Sequence, residues 1–446
     1  MTAEAPYSSS RPESRIFSFF PFLLASLLFI GATRILVENC RSSCSNASQR
    51  CAVQFANNGS GSSSRDRRKV SSKLLLDDGR LIKNCNVFEG EWVQGDDEGG
   101  GRRPLYEEKE CPYLTKQVTC QRNGRSDSLY QKWRWEPHQC KLPRLDALNL
   151  LEILRNRRMM FVGDSIQRSQ WESMVCLLQS VIPEGNKSIY RDPPRKIFRA
   201  EEFNSSIEFY WAPFIVQSNS DHFKKHTVRK RAVKLDAISK HSHHWEDVDV
   251  LVFESYVWWM YRPTINATMG ILDEVQEYDV TTAYRLALKT WATWLESKIN
   301  PRTQKVFFVS MSPTHLWSWE WRDGTQGNCF NESYPIFQRP YWGTGSSLDI
   351  MQIVHEILGD TKINITFLNI TQLSEFRKDG HTSVYTERRG KLLTMEQRSD
   401  PNTYADCIHW CLPGVPDTWN EILYAHLLHD LYIQAQERNE EDLSPT

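Results

Sequence analysis

From Leu145 onward the chain alternates short, largely apolar runs with longer amphipathic ones, and this pattern limits its fold more than any other feature. Strands are predicted over residues 159–162, 207–211, 248–253, 306–310 and 365–368, and helices over 166–181, 281–299, 348–358 and 417–434. Strands apolar on both sides must be covered on both faces, as in a parallel sheet joined by crossover helices. The predicted class is therefore α/β, with three layers. In such sheets ligands collect beyond the carboxyl ends of the strands. The first strand runs into Gly163-Asp164-Ser165 and then a helix, which places Ser165 at that end.

A second segment, Asp406-Cys407-Ile408-His409-Trp410, lies near the C-terminus. A serine hydroxyl is a weak nucleophile until a base takes its proton. A neutral histidine can do so, and a carboxylate on its other ring nitrogen fixes the tautomer. Ser165, His409 and Asp406 supply those groups, and a spacing of three lets one turn bring the carboxylate to the imidazole. Each motif alone has a plainer reading: Asp or Ser at a strand-to-helix turn also caps the helix.

The rest of the chain suggests an oxidising, lumenal setting. Residues 16–37 hold an uncharged stretch from Ile16 to Thr33, about the length of a membrane crossing, with Arg11 and Arg15 before it. The expectation is a single-pass type II anchor with a cytoplasmic tail (1–15), a polar stem (38–82), a cysteine-rich subdomain (83–140) and a catalytic domain (141–440); a cleaved signal peptide is the competing reading. Asn-x-Ser/Thr sequons stand at Asn46, Asn58, Asn186, Asn204, Asn266, Asn331, Asn364 and Asn369. Of the 11 cysteines, Cys40, Cys44 and Cys51 follow the apolar stretch. The others form an even set that disulfides can use up, and no Cys-x-x-Cys pair points to zinc. A net charge of -1 gives no overall field for nucleic acid. The abundant aromatics are read mainly as core, with Trp317, Trp319 and Trp321 as either core or a sugar-stacking face. The basic run Lys224, Lys225, Arg229, Lys230 and Arg231 is either a solvated loop or a site for an acidic glycan or anionic acyl donor. His241, His243 and His244 are read as a surface loop, with no metal.

The segment Asp406-Cys407-Ile408-His409-Trp410-Cys411-Leu412-Pro413-Gly414-Val415-Pro416-Asp417-Thr418-Trp419-Asn420 resembles the signature of the trichome birefringence-like family of plant polysaccharide O-acetyltransferases. Gly163 to Gln170 resembles that family's Gly-Asp-Ser block, and Cys85 to Val93 the start of its cysteine-rich domain. Val250 to Phe253 followed by Trp258-Trp259, and Met311 to His315, also match. The resemblance implies a fold like that of SGNH/GDSL hydrolases with a small disulfide-tied N-terminal subdomain. It implies a Golgi-membrane enzyme that moves acetyl groups onto O-2 or O-3 of xylosyl residues through an acetyl-serine. Ser165 is then nucleophile, His409 base and Asp406 its partner. The disulfides implied are Cys85–Cys140, Cys111–Cys176, Cys120–Cys411 and Cys329–Cys407. Gly163, Asp164 and Arg168 become candidates for the oxyanion or donor, and Trp258, Trp259, Asp417 and Trp419 for the acceptor glycan. No bound cofactor is expected; acetyl-CoA or another acetyl donor is the co-substrate. The chain departs from the family at Ser169 and at Glu254-Ser255, where many members have Asn, so the second oxyanion donor is open. Two rival functions use the same residues: an esterase removing the same acetyl groups, and a non-catalytic glycan-binding protein.

Overall fold

The central sheet takes its strands from the length of the chain: β1 (Arg158–Gly163), β2 (Lys187–Asp192), β3 (Arg195–Ala200), β4 (Ser205–Trp211), β5 (Val250–Phe253), β6 (Lys305–Val309) and β7 (Ile365–Leu368). Their order across the sheet is β7-β6-β5-β1-β4-β3-β2. The computed structural model describes residues 85–95, 103–224, 230–270, 274–322 and 324–443, with side chains through 436. The segments expected to be tail, anchor and stem, together with Cys40, Cys44, Cys51, Asn46, Asn58, Lys225 and Arg229, lie outside the described residues. Among the described residues no helix is long and apolar enough to cross a membrane.

Strands β7, β6, β5, β1 and β4 run parallel, as their apolar composition requires. The sheet is nonetheless mixed, because β2 and β3 form an antiparallel hairpin on one edge. The sequence concealed this hairpin for a physical reason. Edge strands face water and carry charge to discourage further pairing, and Lys187-Ser-Ile-Tyr-Arg-Asp192 has no continuous apolar run.

The sheet is wrapped by α1 (Ala147–Ile153), α2 (Ser165–Gln179), α3 (Val280–Lys298), α4 (Leu348–Asp360) and α5 (Val415–Leu443). Helix α2 packs on α5, and α3 on α4. Every residue of α2 except Ser165 and Arg168 is buried. Strand β1 lies in the middle of the sheet, with Phe161 level with Val252 on one side and Phe209 on the other. The chain leaves β1 toward β4 and later returns to add β5 on its opposite side. Strand order therefore reverses at β1, and the carboxyl end of β1 is the crevice such sheets use for ligands.

The cysteine-rich segment is less irregular than its composition suggests. It holds an antiparallel hairpin, Gly90–Gln94 with Trp133–Pro137. Trp92 donates from Nε1 to the Leu373 carbonyl at 2.7 Å, and the Arg377 guanidinium lies 4.4 Å over its ring. Cys85–Cys140 closes this segment on itself. Cys111–Cys176 ties it to α2, and Cys120–Cys411 ties it to the stretch just after His409. Cys329–Cys407 fixes the other side of that stretch. These are the four pairs that the resemblance implied.

Candidate active site

Ser165 begins α2 directly after β1. Asp164 caps the helix, accepting from the Ile166 N–H at 2.7 Å. Gly163 is required by close packing: a Cβ there would stand 2.5 Å from the Glu254 carbonyl oxygen. Any side chain would thus push the end of β1 away from β5 and displace the serine.

His409 and Asp406 arrive on a strand rather than on the isolated turn expected from their spacing. Strand β9 (Asp406–Trp410) pairs antiparallel with β8 (His381–Ser383). Asp406 Oδ1 accepts from the backbone N–H groups of Ile408 at 3.1 Å and His409 at 3.0 Å. Its Oδ2 lies 2.7 Å from His409 Nδ1. His409 Nε2 in turn lies 2.7 Å from Ser165 Oγ. A carboxylate only accepts, so Nδ1 carries the proton and Nε2 presents a lone pair to the serine hydroxyl. Burial alone would raise the Asp406 carboxyl. The charge of His409 and hydrogen bonds from His409 and Ile408 outweigh it and hold Asp406 well below the usual carboxylate range. It stays ionised and can stabilise the imidazolium that forms when His409 takes the serine proton. The arrangement can therefore generate a nucleophilic serine at neutral pH.

Behind the serine is a buried pair of acids. Asp164 is fully buried and Glu254 nearly so. Asp164 Oδ2 and both Glu254 side-chain oxygens are buried without a hydrogen-bond partner. Burial first, and then the charge of Asp164, push Glu254 well above the carboxylate range. Burial also raises Asp164, against the pull of the Ile166 N–H. Shared burial and mutual repulsion thus favour a neutral Glu254 beside Asp164, so that the pair carries one negative charge rather than two.

Several expected contacts are not where the sequence put them. Gly163 and Asp164 serve packing and capping, and an Asp164 carboxylate has no proton to donate to an oxyanion. Arg168 bonds through Nη2 to Gln117, and its Nε lies 3.5 Å from Glu172 without a hydrogen bond, so its guanidinium is held toward these two residues. Donors for an oxyanion remain in the first turn of α2, where backbone N–H groups lack intrahelical partners. Trp258 and Trp259 are core residues, not glycan contacts. Trp258 packs edge-on against Trp211 and Phe214, and Trp259 against Phe214 and Tyr284. Asp417 is buried and bonds to Ser173, Tyr106 and the Gly414 N–H; burial pushes it up to about 6. Trp419 is buried and donates to Ser374. Both lock α5 against the rest of the fold, because a tryptophan N–H or a carboxyl taken out of water must be paired. His241 is likewise not on a surface loop: it is buried, bonded to Tyr210 and 3.3 Å from Asp221. Trp317 and Trp319 are about half exposed, and Trp321 donates to Glu332. The asparagines of the described sequons are exposed except Asn369, which is partly buried with Thr371 fully so.

One set of residues behind the site had only a faint sequence signal. His381 Nδ1 lies 3.1 Å from the His409 carbonyl oxygen, and His381 Nε2 lies 2.7 Å from His315 Nδ1. His315 Nε2 reaches the Glu375 carbonyl at 2.8 Å. His315 fell inside a matched block, whereas His381 sits in an unremarkable stretch. Among the described residues, no group of three or more His, Cys, Asp or Glu side chains could hold a metal ion.

With the site laid out, comparison with known proteins places the chain. Residues 142–426 match the GDSL/SGNH-like acyl-esterase family found in Pmr5 and Cas1p, and residues 83–141 match the PMR5 N-terminal domain. The chain belongs to this family. It is accordingly an enzyme of acyl chemistry. It is 60% identical over 411 residues to the Arabidopsis thaliana protein trichome birefringence-like 31, covering 92% of this chain and 95% of that one. It is 47% identical over 347 residues to the probable xylan O-acetyltransferase 10 of Oryza sativa subsp. japonica, covering 77% and 78%. Identity to the xylan O-acetyltransferase 7 of the same plant is 47% over 365 residues, 78% of this chain and 60% of that one.

Proposed function

We propose that this protein is a polysaccharide O-acetyltransferase that acetylates O-2 or O-3 of xylosyl residues in xylan. The observation that carries this reading is the continuous Asp406–His409–Ser165 relay, in a chain whose relatives include proteins named xylan O-acetyltransferases. His409 removes the proton of Ser165, whose oxygen attacks the acetyl carbon of the donor. The leaving group departs with the proton from His409, and an acetyl-serine remains. A xylosyl hydroxyl then enters, gives its proton to His409 and takes the acetyl group, restoring Ser165. Acetyl-CoA or another activated acetate serves as donor, and the reaction takes place in the Golgi lumen on a membrane-anchored chain.

The test is incubation of the purified protein with an acetyl donor and unacetylated xylo-oligosaccharides, followed by mass spectrometry and linkage analysis. Acetylated oligomers are expected from the wild type and none from Ser165→Ala. A fully active Ser165→Ala protein sinks the mechanism. The second reading is an esterase on acetylated xylan, favoured by the acyl-esterase description of the matched family. It predicts release of acetate from acetylated oligomers and no product with the donor. Glycan binding without turnover by the wild type would point instead to a binding protein.

A further inference from the structure

Arg231 is 5% exposed, yet among the described residues it forms no salt bridge, and its Nη1 is buried without a hydrogen-bond partner there. A guanidinium taken out of water without a counter-charge is costly, and the other buried arginines have found partners. Arg377, for example, forks onto both oxygens of Asp379 at 2.9 and 2.8 Å. The companion of Arg231 is instead the ring of Tyr261, 5.2 Å from its guanidinium carbon.

The fold explains why these two meet, and where. Strands Ala232–Lys234 and Thr264–Thr268 pair in parallel, with Ala232 level with Asn266. Residues entering the two strands therefore lie at the same end of this small sheet. Tyr261 is also on the loop that leaves the carboxyl end of β5, on the ligand side of the central sheet. Tyr261 is 49% exposed, so it forms a rim over the buried guanidinium. Burial and then the charges of Asp406 and Asp164 raise its hydroxyl, so it is within electrostatic reach of the carboxylates on either side of Ser165.

We propose that Arg231, covered by Tyr261, is an anion-binding subsite beside the catalytic serine, and that it takes a carboxylate or phosphate oxygen of a substrate. Arginine's planar fork matches both groups. The anion arrives as a uronosyl carboxylate on the acceptor glycan or as a phosphate of the acyl donor. Displacement of the Tyr261 ring opens the guanidinium, and the incoming anion supplies the missing counter-charge. This subsite presupposes the acyl-transfer reading of Ser165 only for its purpose, not for its binding.

Binding is measured by calorimetry on full-length Ser165→Ala protein, so that no turnover is needed. The titrants are a xylo-oligosaccharide bearing a uronosyl group, its neutral counterpart, and coenzyme A. Adding Arg231→Gln should weaken one of the two anionic ligands at least tenfold relative to the neutral oligosaccharide. Loss for the uronosyl glycan assigns the carboxylate, and loss for coenzyme A assigns the phosphate. Equal loss for charged and neutral ligands, no loss, or no binding of either anion by the parent overturns the subsite. If circular dichroism shows that Arg231→Gln does not fold, Tyr261→Leu, at a half-exposed position, takes its place. It should shift the same ligand selectively, and failure to do so is equally decisive. Absence of acetyl transfer in the separate xylan assay would remove the proposed function without touching this result.

Discussion

Asp406 holds His409 at two points. One carboxylate oxygen takes the backbone N–H of His409 at 3.0 Å, and the other takes its ring Nδ1–H at 2.7 Å. The same side chain thus shapes the local backbone and selects the imidazole tautomer. Asp406→Asn keeps an oxygen acceptor but offers an NH₂ group where the second oxygen stood. If that amide faces Nδ1, it favours the tautomer with the proton on Nε2, which cannot accept from Ser165. We expect kcat to fall by about 10⁴ with little change in Tm. A loss below tenfold, measured with any ester that Ser165 can attack, would show that the carboxylate does not set the tautomer.

The strand carrying His409 is bracketed by covalent ties. Cys329–Cys407 spans 78 residues and Cys120–Cys411 spans 291. Crosslinks of that reach stabilise by about 4.5 and 5.7 kcal/mol respectively if unfolded-chain entropy alone counts. Their placement implies a second effect, because reacting groups must be held within a fraction of an ångström. Replacing both Cys120 and Cys411 by Ala should lower kcat at 20 °C more steeply than it lowers helix content. Parallel loss of activity and circular dichroism across a temperature series would leave the bond a general staple only.

Glu254 gives a stability prediction with a definite sign. Its carboxyl is raised in the fold, so the native state binds more protons than the unfolded state once pH exceeds the ordinary carboxylate range. Stability from this group is full at low pH and is lost as pH rises toward its folded value. Glu254→Gln supplies a permanently neutral donor to Asp164 of nearly the same shape. The Tm of the variant relative to the wild type should therefore increase from pH 4.5 to pH 8, by roughly 1–2 °C for each kcal/mol recovered. A difference that does not vary with pH would mean that Glu254 is not the proton holder.

The sequence revealed most where local pattern and tertiary role coincide. The continuous apolar runs around Phe161, Val252 and Phe308 could only be inner strands, and Gly163-Asp164-Ser165 could be placed at a crevice from that alone. The limits are as physical. Trp258, Trp259 and Trp419 carry the same aromatic chemistry whether they stack on a sugar or fill a core, and only their neighbours decide. Asp417 next to the histidine motif looked solvent-facing because its partners, Ser173 and Tyr106, lie hundreds of residues away. The β2–β3 hairpin was hidden by the charges that protect an edge. Glu254 stood out as a departure, but its neutral state depends on Asp164 being beside it.

The last prediction concerns the two histidines behind the relay. The Glu375 carbonyl can only accept, so His315 carries its proton on Nε2 and presents Nδ1 to His381. A neutral His381 has one proton for two acceptors, His315 Nδ1 and the His409 carbonyl, so one of those two contacts is left without a hydrogen. Burial brings His315 down to about 4, and burial together with His315 holds His381 well below its usual range. Both are neutral in the fold and titrate near 6.5 when unfolded. The unfolded state therefore gains protons first on acidification. The stability they confer is complete above about pH 6.5 and drains away toward pH 4, by roughly 3 kcal/mol for His315. His315→Asn keeps an acceptor for His381 and removes one titrating ring. It should be less stable than the wild type at pH 7.5, by about 1–3 kcal/mol for the unpaired Glu375 carbonyl, and approach or overtake it by pH 4.5. Urea unfolding at several pH values measures this. A constant difference from pH 7.5 to 4.5 would show that the pair does not govern the acid sensitivity of the strand that carries His409.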